Sequence, residues 1–254
     1  MMKLLRNCRK SLLFALGLLP VALVAAYFTA LYQLEFLDEA ALSQMMEQLG
    51  STAAFIAVYM VQIAVYALVM GFFGHILATK LGLMRPARLE WSALKWTLPL
   101  AAAAGVLLSL DWWTFGAWIP GLREATDLTL TVPVVIASVL YGGVVEEVML
   151  RLFMMSLLAW LGWKLFFRKG EKAPTGVIVA ANVISALLFA AGHLPATQMM
   201  FGALTPLLLL RCFLFNGGAG MLFGWLYRRF GIQYAMIGHG TAHVVSKLIW
   251  FIFV

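Results

Sequence analysis

The chain has 254 residues, of which 63% are hydrophobic and only 11% are charged. Soluble domains average about 25% charged residues, so this chain cannot cover a water-facing surface, and a soluble globular domain and a disordered chain are both excluded. The composition predicts a polytopic all-α membrane protein, because long apolar segments satisfy their backbone hydrogen bonds in lipid as helices.

The charge pattern predicts the topology of these helices. The net charge is +7, but most basic residues fall in four short clusters, at 3–10, 80–95, 164–172 and 228–229. The connections at 34–51 and 111–127 are mainly acidic. Basic residues concentrate in cytoplasmic loops, so we expect an integral protein of a bacterial inner membrane with a cytoplasmic N-terminus. The charges reflect topology, and no nucleic-acid partner is expected.

The N-terminal half contains three predicted crossings, at about 20 residues for each. The predicted segments are a first span at 11–33, an interfacial helix at 34–51, and spans at 52–79 and 96–110. A tryptophan-rich outer loop with Trp112, Trp113 and Trp118 follows.

The C-terminal half begins with 40 residues, 128–167, that are almost entirely apolar. As one helix they would be about 60 Å long, twice the hydrocarbon core of a bilayer. We therefore expect either one long tilted helix with an interfacial extension or two pieces hinged near Gly142–Gly143. Further spans are predicted at 175–194, 199–227 and 232–254, which gives about 7–8 transmembrane helices. The predicted organisation is 1–127 for the N-terminal helices and 128–254 for a catalytic helical core, within one integral domain.

Three charged residues lie inside the segment 128–167: Glu146, Glu147 and Arg151. An ionisable residue at membrane depth is costly and indicates a functional site. Glu147 and Arg151 are four residues apart, so on a helix they can form an ion pair. That geometry leaves Glu146 without an obvious partner, which makes it a candidate general base. The alternative is a buried ion-pair network that only fixes helix packing.

Three of the four histidines lie in the last 62 residues, and each is in an apolar segment. His239 and His243 are four residues apart on one helix face and could bind a metal or form hydrogen bonds between helices. His193 alone is more typical of a buried structural histidine. Structural roles are also expected for Arg211 and Lys247, with contact to a substrate carboxylate as the alternative.

These residues resemble those of the CPBP family (CAAX protease and bacteriocin-processing), also called Abi or Rce1-like intramembrane proteases. The resemblance covers roughly 128–243 and rests on three motifs in order: Glu146-Glu147-x-x-x-Arg151 for E-E-x-x-x-R, Phe189-x-x-x-His193 for F-x-x-x-H, and His239-x-x-x-His243 for H-x-x-x-N/D. The last position departs from the family, because it is a histidine.

The resemblance implies an intramembrane endopeptidase whose substrate is a peptide or protein, in some cases lipid-modified, at the lipid bilayer. It implies that Glu146 and His193 activate water, that His239 and His243 stabilise the oxyanion, and that Glu147 and Arg151 orient the site. No cofactor is certain. The histidine at 243 completes a set of three histidines and one carboxylate (Glu146, His193, His239 and His243), so Zn²⁺ is a candidate and the peptidase is either glutamate- or metal-dependent.

Two other functions fit the same residues. A non-catalytic scaffold or immunity-type protein on the same fold would use the buried charges for packing. An ion-coupled transporter would use the buried carboxylates to carry protons.

Overall fold

The computed structural model describes residues 2–128 and 130–254, and the side chains of residues 7–126 and 130–254. Lys3, Arg6 and Asp127, which contribute to the charge pattern, have side chains outside this part. Every regular element in the described ranges is helical. In chain order the α-helices are α1 (Met2–Glu35), α2 (Glu39–Leu49), α3 (Thr52–Leu81), α4 (Trp91–Ser109), α5 (Leu122–Leu128), α6 (Val132–Ala137), α7 (Ser156–Phe166), α8 (Thr175–Gly192), α9 (Leu194–Phe201), α10 (Pro206–Cys212), α11 (Gly218–Phe230) and α12 (Ile232–Phe253).

Six helical segments of the described chain are long and apolar enough to cross a membrane: Asn7–Glu35, Thr52–Leu81, Trp91–Ala117, Val132–Phe166, Thr175–Phe201 and Pro206–Phe230. This confirms the prediction of a polytopic all-α membrane protein. α12, with 22 residues, is not among the six. It lies where the last crossing is predicted, and two histidines and a lysine set it apart from the others.

The segment predicted at 128–167 is one continuous helical stretch of 35 residues. It has no break at Gly142–Gly143, so the hinged alternative is wrong. Its middle part, Ser138–Met155, is wound as a π-helix and joins α6 to α7. A π-helix bonds each residue to the fifth along the chain and is frequent at functional sites.

The span predicted at 199–227 begins later, at Pro206. α9 ends at Gly202, whose φ of +74° is a left-handed conformation that favours glycine. Thr205 then caps α10 by accepting a hydrogen bond from the Leu208 amide, and Pro206 takes the first helical position. These local signals separate α9 from the crossing that follows it.

Two close helix contacts position α12 beside the π-helical segment and α4. At Gly143, an added Cβ would lie 3.2 Å from the backbone of Gly240. At Gly105, an added Cβ would lie 2.6 Å from the Ala242 carbonyl oxygen. Small residues permit this approach of backbones in a membrane. Both contacted residues of α12, Gly240 and Ala242, lie between its two histidines.

Gly105→Ala is expected to destabilise the fold, because the new methyl group would overlap the backbone of α12. Overpacking of this kind costs about 1–3 kcal/mol. Thermal unfolding of the purified protein in detergent measures the effect as a lower Tm. Gly17→Ala is the matched control, since no atom lies within 4 Å of its added Cβ. Equal Tm values for the two variants would contradict the close contact between α4 and α12.

Candidate active site

The π-helical segment buries an ion pair in the centre of the bundle. The side chains of Glu147 and Arg151 are 0% and 1% exposed, and Arg151 Nη1 lies 3.3 Å from Glu147 Oε1. The angles do not form a hydrogen bond, and Glu147 Oε2 and both terminal guanidinium nitrogens have no hydrogen-bond partner within the described part of the chain. Arg151 instead lies over the ring of Phe189, 4.5 Å from its centroid. The pair predicted from the sequence is therefore present and is held mainly by charge and packing.

Glu147 also binds His239, which connects the π-helical segment to α12. Its Oε1 lies 2.8 Å from His239 Nδ1, with both groups buried. An ionised carboxylate only accepts hydrogen bonds, so His239 donates from Nδ1. The ring of His239 stacks on Phe223 with a centroid distance of 4.4 Å. These contacts fix the orientation of the ring and direct Nε2 away from Glu147.

Three polar atoms lie close together on the Nε2 side of the His239 ring: His239 Nε2 itself, His243 Nε2 and Glu146 Oε2. His243 Nε2 lies 3.1 Å from His239 Nε2, and Glu146 Oε2 lies 4.0 Å from the same atom. The backbone opposite is Gly142, where an added Cβ would lie 3.0 Å from His243 Nε2 and 3.3 Å from His239 Nε2. The lack of a side chain at Gly142 thus leaves room for both imidazoles.

Glu146 differs from Glu147 although the two are adjacent in the sequence. The side chain of Glu146 is 18% exposed and lines a cavity. No hydrogen bond or ion pair shorter than 4.0 Å involves it among the described residues. Its carboxylate is therefore available to a bound molecule.

His193 lies at the junction between α8 and α9. Its Nδ1 is 2.8 Å from the Phe189 carbonyl oxygen, one turn earlier, so Nδ1 donates to a backbone acceptor. Its ring packs edge-on against the Phe189 ring at 4.7 Å. This tautomer leaves Nε2 without a proton and able to accept one.

A cavity of about 560 Å³ brings these side chains together. Its lining includes Glu146, His193, His239 and His243, whereas Glu147 and Arg151 are packed behind it. The cavity also has polar walls that the motifs do not indicate, formed by Tyr32, Gln33, Tyr59, Tyr141, Asn216 and Lys247. Of these, Asn216 could have been suspected from sequence, as an amide in an apolar run. Tyr32 and Tyr59 belong to α1 and α3, whose position beside Glu146 only the tertiary structure reveals.

The sequence makes Zn²⁺ a candidate, with Glu146, His193, His239 and His243 as its ligands. In the described part of the chain, no group of three or more His, Cys, Asp or Glu side chains is arranged to hold a metal ion. The His239 and His243 nitrogens that face the cavity edge lie within hydrogen-bond distance of each other. Zn²⁺ remains a sequence-based expectation that this arrangement does not support.

Arg151→Met is expected to destabilise the protein more than the double variant Glu147→Gln/Arg151→Met. Removing only the arginine leaves a buried carboxylate without its cation, which costs about 3–5 kcal/mol, whereas removing both charges avoids that cost. A double-variant cycle of thermal unfolding in detergent measures the difference. Additive losses in Tm would show that the two side chains do not interact.

Residues 128–245 match the family model described as type II CAAX prenyl endopeptidase Rce1-like. This range contains Glu146, His193, His239 and His243, the four candidate residues that line the cavity. Comparisons with curated proteins and with solved structures found no match. Through this region, slightly less than half of its length, the chain is similar to the CPBP, or Abi, family of membrane proteases.

Proposed function

We propose that the protein is an intramembrane endopeptidase that hydrolyses a peptide bond in a membrane-associated protein or peptide. The observation that carries this proposal is the cavity of about 560 Å³, in which three histidines meet Glu146, whose nearest partner among the described residues is His239 at 4.0 Å. The family match supports a peptidase in general.

Glu146 and His193 are proposed to activate the attacking water. Both side chains line the cavity, and neither the Glu146 carboxylate nor His193 Nε2 is used by another described group. Each can therefore accept a proton from water as a general base. A positioned base of this kind contributes typically about 10²–10⁴-fold to the rate.

His239 and His243 are proposed to stabilise the oxyanion. With Nδ1 of His239 donating to Glu147, a neutral ring only accepts at Nε2. A second proton turns Nε2 into a donor, and the carboxylates of Glu146 and Glu147, at 4.0 and 2.8 Å, both stabilise the charged ring. Because His243 Nε2 lies 3.1 Å from His239 Nε2, one proton is shared between the two nitrogens, and the N–H that carries it is the donor proposed for the oxyanion. Donors placed where negative charge develops are among the largest contributions to catalysis.

Glu147 and Arg151 are positioning residues in this scheme, because they do not reach the cavity. Glu147 fixes the tautomer and orientation of His239, and Arg151 balances the charge of Glu147. The arrangement resembles the way a buried carboxylate orients a histidine in other hydrolases.

The reaction follows from these roles with its protons accounted for. Glu146 takes a proton from water, and the oxygen adds to the scissile carbonyl carbon while the carbonyl oxygen becomes negative beside the histidine pair. When the C–N bond breaks, the proton on Glu146 passes to the leaving nitrogen. The first products are a carboxylic acid and an amine, and the acid then gives its proton to the amine, which leaves a carboxylate and an ammonium group; no step in this scheme uses a metal.

The topology and domain division are also proposed. Lys80 at the end of α3 and Arg228 at the end of α11 lie at the same end of the bundle as the start of α12. We infer from the basic clusters that this end is cytoplasmic, in a bacterial inner membrane. We keep 1–127 and 128–254 as two parts of one integral domain.

Glu146→Gln, His193→Ala and His239→Ala are each expected to lower proteolysis by about 10² or more, because each removes a group that handles the water or the oxyanion. The assay uses the full chain in proteoliposomes. The probes are an internally quenched peptide ending in a cysteine-aliphatic-aliphatic-X sequence, the same peptide farnesylated on its cysteine, and a mixed quenched-peptide library. Glu90→Gln is the matched control, since Glu90 is paired with Arg88 away from the cavity. Undiminished cleavage by Glu146→Gln would overturn the mechanism.

His243→Asn is expected to keep most of the activity, whereas His243→Ala loses about 10² or more. Asparagine is the residue that the family motif has at this position, and its side chain also donates a hydrogen bond. The same peptide assay measures both variants. Equal activities of the two variants would show that position 243 does not act as a donor.

A further inference from the structure

Lys247 is a buried cation on α12 that the proposed mechanism does not use. It is 8% exposed and lies one helical turn beyond His243. Among the described residues, no carboxylate oxygen lies within 4.0 Å of its amino group. Its amino group lies over the ring of Trp250, whose centroid is 5.4 Å from Nζ. A charge buried to this extent is normally paired, so a missing partner is informative.

Arg211, the other cation that lines a cavity beside Lys247, already has a partner. Arg211 Nε lies 2.9 Å from both carboxylate oxygens of Asp111, and its terminal nitrogen also contacts Asp111. The guanidinium and the carboxylate neutralise each other. Among the described residues that line this cavity, Lys247 is therefore the one cation whose charge no carboxylate neutralises.

The position of Lys247 links it to the reacting groups. It lines the cavity of about 560 Å³ that contains Glu146, and also an adjoining cavity of about 280 Å³ that contains Asp111 and Arg211. His193, Asn216 and His243 line both cavities as well. Four residues along a helix correspond to about 6 Å, so a group bound at Lys247 would lie within a few residues of a peptide bond held at His243.

We propose that Lys247 binds a carboxylate of the substrate and thereby selects which peptides are cleaved. This inference rests on the proposed peptidase function. A single unbalanced cation matches a monoanion such as a carboxylate better than a phosphate, which carries more charge and is bound by clusters of donors. The carboxylate is either the C-terminus of the substrate or an acidic side chain near the cleaved bond.

The experiment compares three matched quenched peptides with the full chain in proteoliposomes: a free C-terminal acid, the same peptide as a C-terminal amide, and the amide with one glutamate near the cut. The wild type is expected to prefer one of the two carboxylate-containing peptides over the plain amide by about tenfold or more, mainly through KM. Lys247→Met should abolish this preference, and Lys247→Arg should retain it. Preference for the free acid identifies the C-terminus, and preference for the glutamate peptide identifies a side chain.

Lys80→Met is the matched control. Lys80 also lies over a tryptophan ring, at 5.6 Å from that of Trp160, but it lines neither cavity. Its removal should leave the preference unchanged. A wild type that treats all three peptides alike, or a Lys247→Met variant that keeps the preference, would overturn the proposal and leave the peptidase function standing.

A binding measurement separates the two proposals. Fluorescence anisotropy with dye-labelled forms of the three peptides is carried out on Glu146→Gln and on Glu146→Gln/Lys247→Met. A carboxylate preference that disappears with the lysine supports the binding site even if no peptide is cleaved. Equal binding of all three peptides to Glu146→Gln overturns it even if cleavage is observed.

Discussion

The arrangement of the site depends on one buried carboxylate. Glu147 lies between the guanidinium of Arg151, on its own helix, and the imidazole of His239, on α12. Burying a carboxylate is expensive unless it is paired, so these contacts fix the distance and rotation of the two helices relative to each other. The position of His243 and the direction of His239 Nε2 both follow from this constraint.

The same constraint gives two adjacent glutamates opposite roles. Glu147 is enclosed, and its charge is balanced inside the protein. Glu146 points into the cavity, and among the residues that the structure describes it has no partner closer than the 4.0 Å contact to His239. One carboxylate thus holds the structure together while the other remains free for a substrate or a water molecule. This difference is the physical basis for proposing Glu146, and not Glu147, as the base.

Glycines make the arrangement possible. Gly142 leaves space for the paired imidazoles, and Gly105 and Gly143 allow backbones to approach α12 from two sides. The cavity draws its walls from both parts of the chain, since Tyr32 and Tyr59 come from α1 and α3. The N-terminal helices therefore contribute to the shape of a site whose motifs all lie after residue 128.

The sequence alone determined the all-helical membrane class, because its 63% hydrophobic residues form long continuous apolar runs, which satisfy their backbone hydrogen bonds in lipid as helices. It also determined the candidate residues, because charged and histidine side chains are conspicuous in apolar segments. Only the tertiary structure decided that 132–166 is continuous, with a π-helical middle part at Ser138–Met155, and that the crossing after α9 begins at Pro206. It also separated Lys247 from Arg211, which the sequence treats alike. Pairing depends on contacts between residues far apart in the chain, here Arg211 with Asp111, and local patterns carry no information about such contacts.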